Sequence, residues 1–446
     1  MSNNIPKFVD FRILKPTGIL NAHWPPAAEP FEGTNCGALP HKLPISNDHR
    51  SKNTQLKGSI NMIVKGQCIF IFKALEPCHF ILYDSTRKNR LQIKFTHNSV
   101  KFTYTIIDEY IDSKVLIDRN NNSGIINDKN AYYWFSIDSQ NQKLYAGIGE
   151  ARLDTAIYKY DFLIKSKQRR DFFKSLEIIE ISSGVKPIRL VRDPITTLVP
   201  LFIKDMDELS MDDVSNGSVL PSANLPPIIQ KMYNYVSGQK FILNDVDFPS
   251  FSKAIEQSIV TPGLWCNMRL KEKFIASGRD KSDFLQSYLR ITLGQYNGET
   301  PNIPYVMEIW PRGHYSSVHN HSGASAIIRV LHGKINVRLF PYLSVSARPF
   351  NNVDFNTNDI TWISPVLNQT HQLINHGHNK SVCITIQGYM YDVEDNGYYN
   401  NIEYIDAAGK VIDYEPESDM DFVKFKALMK QEWEATQSRR LLCLCR

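Results

Sequence analysis

Short runs of alternating apolar and polar residues are the feature that most restricts the fold of this chain of 446 residues. They dominate residues 58–165 and return from residue 303, with polar turns between them. Alternation with a period of two residues is typical of half-buried strands, and many short strands at regular spacing predict an antiparallel sandwich. We therefore expect a mainly β protein that begins with an antiparallel β-sandwich.

Prolines and a change of periodicity divide the chain. Residues 186–224 contain four prolines and the polar stretch DDVSNGS, which predicts a linker. Helical spacing of apolar residues follows it and recurs at 418–436. Residues 1–200 carry 28 Lys/Arg and 19 Asp/Glu, whereas residues 201–446 carry 23 and 27, and this change of sign supports separate units. We expect a β-sandwich domain over 1–185, a linker over 186–224 and a second domain over 225–446.

Histidines are concentrated in the second domain, where seven of the twelve lie between residues 314 and 378. His319 and His321 are two residues apart, so on a strand both side chains point to one face. His371 begins another alternating run, which a barrel would bring beside the first pair. Three neutral imidazoles suit Fe(II), Zn, Cu or Ni, and the type of ligand does not choose between these metals.

Several classes of protein are not expected. The seven cysteines have irregular spacing and do not predict a disulfide framework, and the first residues lack the apolar segment of a secretory signal. No run of about 18 apolar residues predicts a transmembrane helix. The single tight basic run, at 165–170, lacks the interleaved aromatic residues of a nucleic-acid groove. We expect a cytoplasmic protein with neither a membrane nor a nucleic acid as a partner.

The first β-rich segment resembles the domain of farnesoic acid O-methyltransferase-like proteins. The resemblance covers about residues 58–165 and is carried by CIFIFKAL, CHFILYDS and AYYWFSIDSQNQKLYAGIGEA, around Trp134, Gly147 and Gly149. It implies a β-sandwich of an interaction type, with a carbohydrate or a protein as the ligand. A purely structural sandwich is an equal alternative. No Gly-rich nucleotide loop follows a strand here, so methyl transfer is not expected.

The histidine motif resembles the two motifs of the cupin superfamily. Its parts are Gly313-x5-His319-x-His321 and His371-x3-Asn375. Cupins usually have a glutamate after the histidine pair, where this chain has an alanine at 326. The missing acid makes a three-histidine site, which is similar to that of the cysteine dioxygenase type I family.

A longer match also resembles the cysteine dioxygenase type I family. The run W-x-x-G-H-x-S-S-x-H-x-H from Trp310 to His321 is similar to that family's core, and Tyr288-Leu-Arg290 is similar to its Y-x-R element before the barrel. The resemblance covers about residues 225–405. It implies a cupin-type β-barrel with preceding helices, to which the pattern at 418–436 adds a C-terminal helix.

This resemblance implies an Fe(II)-dependent dioxygenase that adds both atoms of O₂ to cysteine or a related small thiol and forms the sulfinate. His319, His321 and His371 would hold the iron. Arg290 would pair with a substrate carboxylate, for which its planar guanidinium is suited. Tyr288 would line the pocket.

The chain departs from the family pattern near the expected site. The family's crosslinking cysteine corresponds to Ala326, so no thioether can form, and its Ser-His-Tyr triad corresponds to positions 383, 385 and 387. The residues expected around the metal are His314, Cys383, Thr385, Gln387 and Tyr389.

Two other functions are compatible with the sequence. The protein could be a non-catalytic, metal-stabilised cupin joined to a lectin-like binding domain. It could also keep the metal and catalyse different chemistry, as a cupin isomerase or another dioxygenase does.

Overall fold

A computed structural model describes most of the chain from residue 58 onward. The described residues are 58–106, 112–120, 124–161, 167–238, 241–276, 285–293, 305–390, 402–406 and 408–444. They form a mainly β structure with a C-terminal helix, which confirms the expected fold class. No helix among these residues is both long and apolar enough to cross a membrane.

The chain folds as two compact units that are not continuous in sequence. Of the described residues, unit 1 holds those up to Ile125, together with those in Trp134–Ala146 and Ile157–Val199. Unit 2 holds Ile126–Tyr133, Gly147–Ala156 and the residues from Pro200 onward. Two short segments from the first half of the sequence therefore belong to the same unit as the histidine motif.

Unit 1 contains two sheets. Its strands are β1 Ser59–Asn61, β2 Gln67–Lys73, β3 Cys78–Tyr83, β4 Arg90–Phe95, β5 Ser99–Ile106, β6 Asp112–Asn120, β7 Tyr133–Asp138, β8 Lys143–Ile148, β9 Ala156–Asp161, β10 Ile178–Ile181 and β11 Lys186–Val191, with helix α1 Lys167–Ser175 before β10. The strand orders are β1-β10-β3-β4-β5-β6 and β11-β2-β7-β8-β9.

Aromatic rings join the two sheets of unit 1. The ring of Phe72 in the second sheet lies 4.6 Å from Phe80 and 5.1 Å from Phe95 in the first, and Phe135 lies 5.1 Å from Phe80. Alternate residues of β5 are buried, as expected for a strand with one face on a core. The two sheets thus pack face to face as a sandwich.

Residues 186–224, for which the sequence predicts a linker, contain regular structure. β11 pairs with β2 at the edge of a sheet, with a register shift next to Pro187. Proline is tolerated there because an edge strand does not need every backbone N–H. The same stretch holds β12 Phe202–Lys204, helix α2 Met211–Asn216 and β13 Val219–Pro221. The expected domain boundaries at residues 185 and 225 stay predictions.

Besides α2 and the pair of β12 and β13, unit 2 contains helices packed on one of two six-stranded sheets. The helices are α3 Pro227–Val236, α4 Phe251–Val260, α5 Trp265–Ala276 and α6 Phe422–Leu444. The strands are β14 Leu289–Leu293, β15 Tyr305–Trp310, β16 His319–Asn320, β17 Ser325–His332, β18 Lys334–Phe340, β19 Asn351–Asn356, β20 Ile360–Ile363, β21 Thr370–Ile374, β22 Cys383–Met390, β23 Ile402–Ile405, β24 Val411–Tyr414 and β25 Met420–Asp421.

The two sheets of unit 2 enclose an interior. Their orders are β20-β17-β22-β15-β14-β25 and β19-β18-β21-β16-β23-β24. Trp310 and Val330 from the first sheet pack with Ile335, Leu339 and Phe355 from the second. On the other side of the first sheet, α4, α5 and α6 form a separate apolar core. These helices therefore cover the face of the first sheet that points away from the barrel interior.

Candidate metal centre

Three of the predicted residues meet inside unit 2. His319 on β16 lies directly opposite His371 on β21 in an antiparallel pair, and His321 follows the end of β16. The ring centroids are 4.5 Å apart for His319 and His371, 5.0 Å for His321 and His371, and 5.1 Å for His319 and His321. One ligand nitrogen from each ring lies within 4.8 Å of the others, so the three side chains can hold one metal ion.

Backbone carbonyls fix two of these rings. His319 Nδ1 lies 2.9 Å from the Ser317 carbonyl oxygen, and His371 Nδ1 lies 3.2 Å from that of Asn368. A carbonyl oxygen only accepts hydrogen bonds, so Nδ1 carries the proton in both rings and Nε2 keeps a lone pair for a metal. Nε2 of His321 lies 3.4 Å from Nε2 of His371, which shows that both nitrogens point to one place.

Burial keeps the three imidazoles neutral. It lowers the pKa of His319, and it lowers the pKa of His321 well below the usual value, where the neighbouring histidines add to the effect. Burial and the nearby His319 lower the pKa of His371 to about 3. Neutral imidazole is the form that binds a metal ion.

The histidines open into a cavity of about 420 Å³. Its apolar wall includes Val330, Leu339 and Phe355 from the barrel interior. Tyr288, a predicted pocket residue, lines the cavity and stacks on Trp310 with ring centroids 4.2 Å apart. The site is thus a largely apolar chamber with the metal ligands in its wall.

Arg290, which was expected to pair with a substrate carboxylate, is paired with an acid of this protein. It is the strand partner of Glu308, and its Nη1 lies 3.6 Å from Glu308 Oε1. Glu308 is 4% exposed and lines the cavity, and the charge of Arg290 helps to lower the pKa of His321. The acid that partners this arginine was not identified from the sequence, because the pairing depends on the register of β14 and β15.

Alternate residues of β22 face the cavity. Thr385, Gln387 and Tyr389 all line it. Gln387 Nε2 donates to Glu308 Oε2 at 2.7 Å, and the Tyr389 hydroxyl donates to the Gln387 side-chain oxygen. The Tyr389 ring stacks on His321 with centroids 5.2 Å apart. These three side chains form a polar strip from the carboxylate of Glu308 to one of the histidines.

The other two predicted residues lie away from the cavity wall. Cys383 is fully buried within the apolar core of the barrel, and burial raises the pKa of its thiol. His314 is 5% exposed, and its Nδ1 lies 2.7 Å from the Ser287 carbonyl oxygen. His314 therefore ties the segment before β14 to the loop that precedes β16.

A buried ion pair that sequence reasoning missed lies beside the third ligand. Arg152 and Glu150, both in the Gly147–Ala156 segment of unit 2, are at most 1% exposed, and Arg152 Nη1 lies 3.6 Å from Glu150 Oε2. Arg152 Nη1 also donates to Asn368 Oδ1 at 2.8 Å. No pattern of local spacing relates residues that are 216 positions apart in the sequence.

The known proteins that match this chain do so over only part of its length. No protein-family profile matches it, and neither does any curated protein. Solved structures of cupin proteins and of DMSP lyases do match, with 12–14% identity over about a quarter of the chain.

Three solved structures illustrate the range of these matches. An oxalate oxidase in complex with the substrate analogue glycolate is 14% identical, with a TM-score of 0.21, and covers 27% of this chain and 56% of its own. A cupin superfamily protein from Desulfitobacterium hafniense is 13% identical, with a TM-score of 0.18 and coverage of 24% and 79%. The Cnp3 cupin domain of Schizosaccharomyces pombe is 14% identical, with a TM-score of 0.20 and coverage of 25% and 69%.

These matches are limited in extent. The matched part spans about half the length of the oxalate oxidase and half that of the structure described as DMSP lyases. None of them identifies the family of this chain, and membership of the cysteine dioxygenase type I family stays a prediction.

Proposed function

We propose that this protein is a metal-dependent enzyme of the cupin type that oxidises a small thiol to its sulfinate with O₂, using Fe(II) held by His319, His321 and His371. The observation that carries the proposal is the convergence of three neutral imidazoles on the wall of a largely apolar cavity. The overall reaction is RSH + O₂ → RSO₂⁻ + H⁺, in which sulfur is oxidised and both oxygen atoms are retained in the product.

The residues present fit Fe(II). Three imidazoles with no carboxylate or thiolate ligand leave coordination positions open, which an enzyme needs and a purely structural site does not. When bound, the iron would supply a place for the thiolate and for O₂. The hydrogen bonds to backbone carbonyls fix the tautomers of His319 and His371, so these two ligands are preorganised for metal binding.

The cavity wall supports oxidation rather than hydrolysis. Val330, Leu339 and Phe355 form an apolar side of the site, with no side-chain group that could hydrogen-bond to water. The stacked rings of Tyr288 and Trp310 form another side. On the third side, the hydrogen-bonded strip that ends at Tyr389 offers the polar contacts that orient a small substrate.

The test is oxygen uptake by protein loaded with Fe(II) under anaerobic conditions, over a panel of small thiols, with ¹⁸O₂ and mass spectrometry of the product. Thiol-dependent uptake and a sulfinate with two ¹⁸O atoms are expected. His371→Ala should abolish both, whereas His378→Ala, an exposed histidine of the same region, should not. Tight iron binding without uptake for any thiol would overturn the dioxygenase proposal and favour a non-catalytic, metal-stabilised cupin.

A further inference from the structure

The loop before His371 is held by a carboxylate from far away in the sequence. Glu150 Oε1 accepts a hydrogen bond from the Gln369 backbone N–H at 2.9 Å, and Glu150 Oε2 accepts one from the Asn368 N–H at 2.9 Å. All three residues lie in unit 2. Asn368 has a φ of +62°, and its side-chain amide donates to the Trp362 carbonyl oxygen at 3.1 Å. The loop is therefore fixed at both its backbone and its side chain.

One peptide group of this loop joins the carboxylate to the histidine. The peptide between Asn368 and Gln369 donates through its N–H to Glu150 and accepts through its C=O from His371 Nδ1. Hydrogen bonds in series polarise one another when they lie in a region of low dielectric constant. A negative charge at the N–H end makes the carbonyl oxygen a stronger acceptor, and a stronger acceptor makes the imidazole a better electron donor at Nε2.

The surroundings of Glu150 hold its carboxyl group in place. Arg152 lies 3.6 Å away and is itself bound to Asp154 and Asn368. Burial raises the pKa of the Glu150 carboxyl to about 7, whereas Arg152 and the two backbone N–H groups oppose the rise. An alkaline pH favours the charged form.

A glycine lets this segment come close to the barrel. Gly149 has a φ of +80°, and a Cβ there would collide with the Pro341 carbonyl oxygen. Only glycine combines this backbone conformation with so close an approach. The approach of the segment to the β18–β19 connection is what buries Glu150.

From this arrangement we infer that Glu150 is a positioning residue for the metal, which acts through the 368–369 peptide to orient His371 and to raise its strength as a ligand. This inference rests on the proposed metal site and not on thiol oxidation. Histidine ligands commonly bind a carboxylate or a carbonyl through their second nitrogen. Here both groups act in series on a single ring.

The first test measures metal affinity with Co(II) at about pH 8, by competition with a chelator. Glu150→Gln keeps the size of the side chain and removes its charge, and we expect about tenfold weaker binding. Asp154→Asn, which removes a charge from the same cluster without touching the peptide, should change affinity by less than threefold. Equal affinity of Glu150→Gln and the wild type would overturn the inference. Failure of the wild type to bind Co(II) would instead overturn the proposed metal site.

A double-mutant cycle separates an action through His371 from a general loss of structure. In the His371→Ala background, Glu150→Gln should cause no further loss of the residual Co(II) affinity of His319 and His321. An equal loss in both backgrounds would show a merely structural role and overturn the inference.

The wild-type protein gives an independent check that does not depend on whether the variant folds. In ¹⁵N-histidine NMR spectra of the metal-free protein, His371 should be the tautomer with the proton on Nδ1, with the shift of a strongly hydrogen-bonded N–H. A proton on Nε2 would overturn the inference.

Discussion

Arg290 and Glu308 are direct partners on β14 and β15, and their charged groups approach to 3.6 Å between Nη1 and Oε1. An arginine held by a carboxylate on the neighbouring strand offers less attraction to a substrate carboxylate than an arginine that faces the cavity alone. The acid lines the cavity, and the charge of the arginine acts on His321 of the same cavity. The substrate preference of the site should therefore depend on Glu308.

Replacing Glu308 should change which thiols bind. In Glu308→Gln, Arg290 loses its charged partner and becomes available to a substrate carboxylate. The KM for a thiol that carries a carboxylate should therefore fall about tenfold relative to the KM for a thiol that carries an ammonium group. A change of this size is typical of one charged hydrogen bond. The measurement is oxygen uptake with the two thiols. Glu417→Gln, an exposed acid at the same cavity, is the matched control. An unchanged ratio of the two KM values would contradict this prediction.

Glu308 should also make the free energy of unfolding decrease as the pH rises. Burial raises the pKa of its carboxyl group, although Arg290 and Gln387 oppose the rise. The folded protein thus keeps a proton that the unfolded chain releases near the usual pKa of 4.5. This difference in pKa adds to the free energy of unfolding, and the contribution is fully present below the pKa of the unfolded chain. It is lost as the pH rises through the raised pKa of the folded protein, by up to about 1.4 kcal/mol per pH unit. Thermal melts of the wild type and Glu308→Gln should show a smaller decline with pH in the variant, and parallel curves would disprove this.

Metal binding should stabilise the folded protein through all three histidines. At a free metal concentration of about 100 times Kd, a site present only in the folded state adds about 2.7 kcal/mol. Scanning calorimetry should show a rise in Tm with Zn(II) for the wild type, reversed by a chelator, and little rise for His371→Ala. A rise of the same size in that variant would place the metal elsewhere. His378→Ala should behave as the wild type does.

Tyr389 should matter for turnover more than for metal binding. Tyr389→Phe keeps the ring that stacks on His321 and removes the hydroxyl that donates to Gln387. Metal content should stay unchanged, while kcat for thiol oxidation should fall about fivefold, the effect of one lost hydrogen bond. Tyr404→Phe, on another wall of the cavity, serves as a control. Loss of metal from Tyr389→Phe would show that the hydroxyl supports the ligands instead.

The sequence predicted the features that depend on local spacing. Two histidines at positions i and i+2 share a face of any extended segment, so the convergence of His319 and His321 needed no knowledge of the fold. The position of His371 beside them required only that a barrel bring a later strand next to β16, which the observed pairing does.

Local spacing does not predict contacts between segments that are distant in the sequence. The role expected for Arg290 took no account of Glu308, since the local pattern of either strand does not give the register of β14 against β15. The ion pair of Glu150 and Arg152 stands more than 200 residues before the loop that it contacts. Periodicity describes which face of an element is buried, and it carries no information on which distant segment covers that face.

The order of synthesis gives the Gly147–Ala156 segment a further significance. Glu150 leaves the ribosome 218 residues before Asn368, which at about 5–20 residues per second is a delay of roughly 10–40 s. During that interval, two charges that end up fully buried lack the loop that will satisfy them. Until the loop at 368 has emerged, Glu150 cannot make its hydrogen bonds to the Asn368 and Gln369 N–H groups. Completion of the ligand-bearing barrel is therefore a late event in synthesis, and a chain that ends before residue 368 lacks the partners of both Glu150 and Arg152 in this loop.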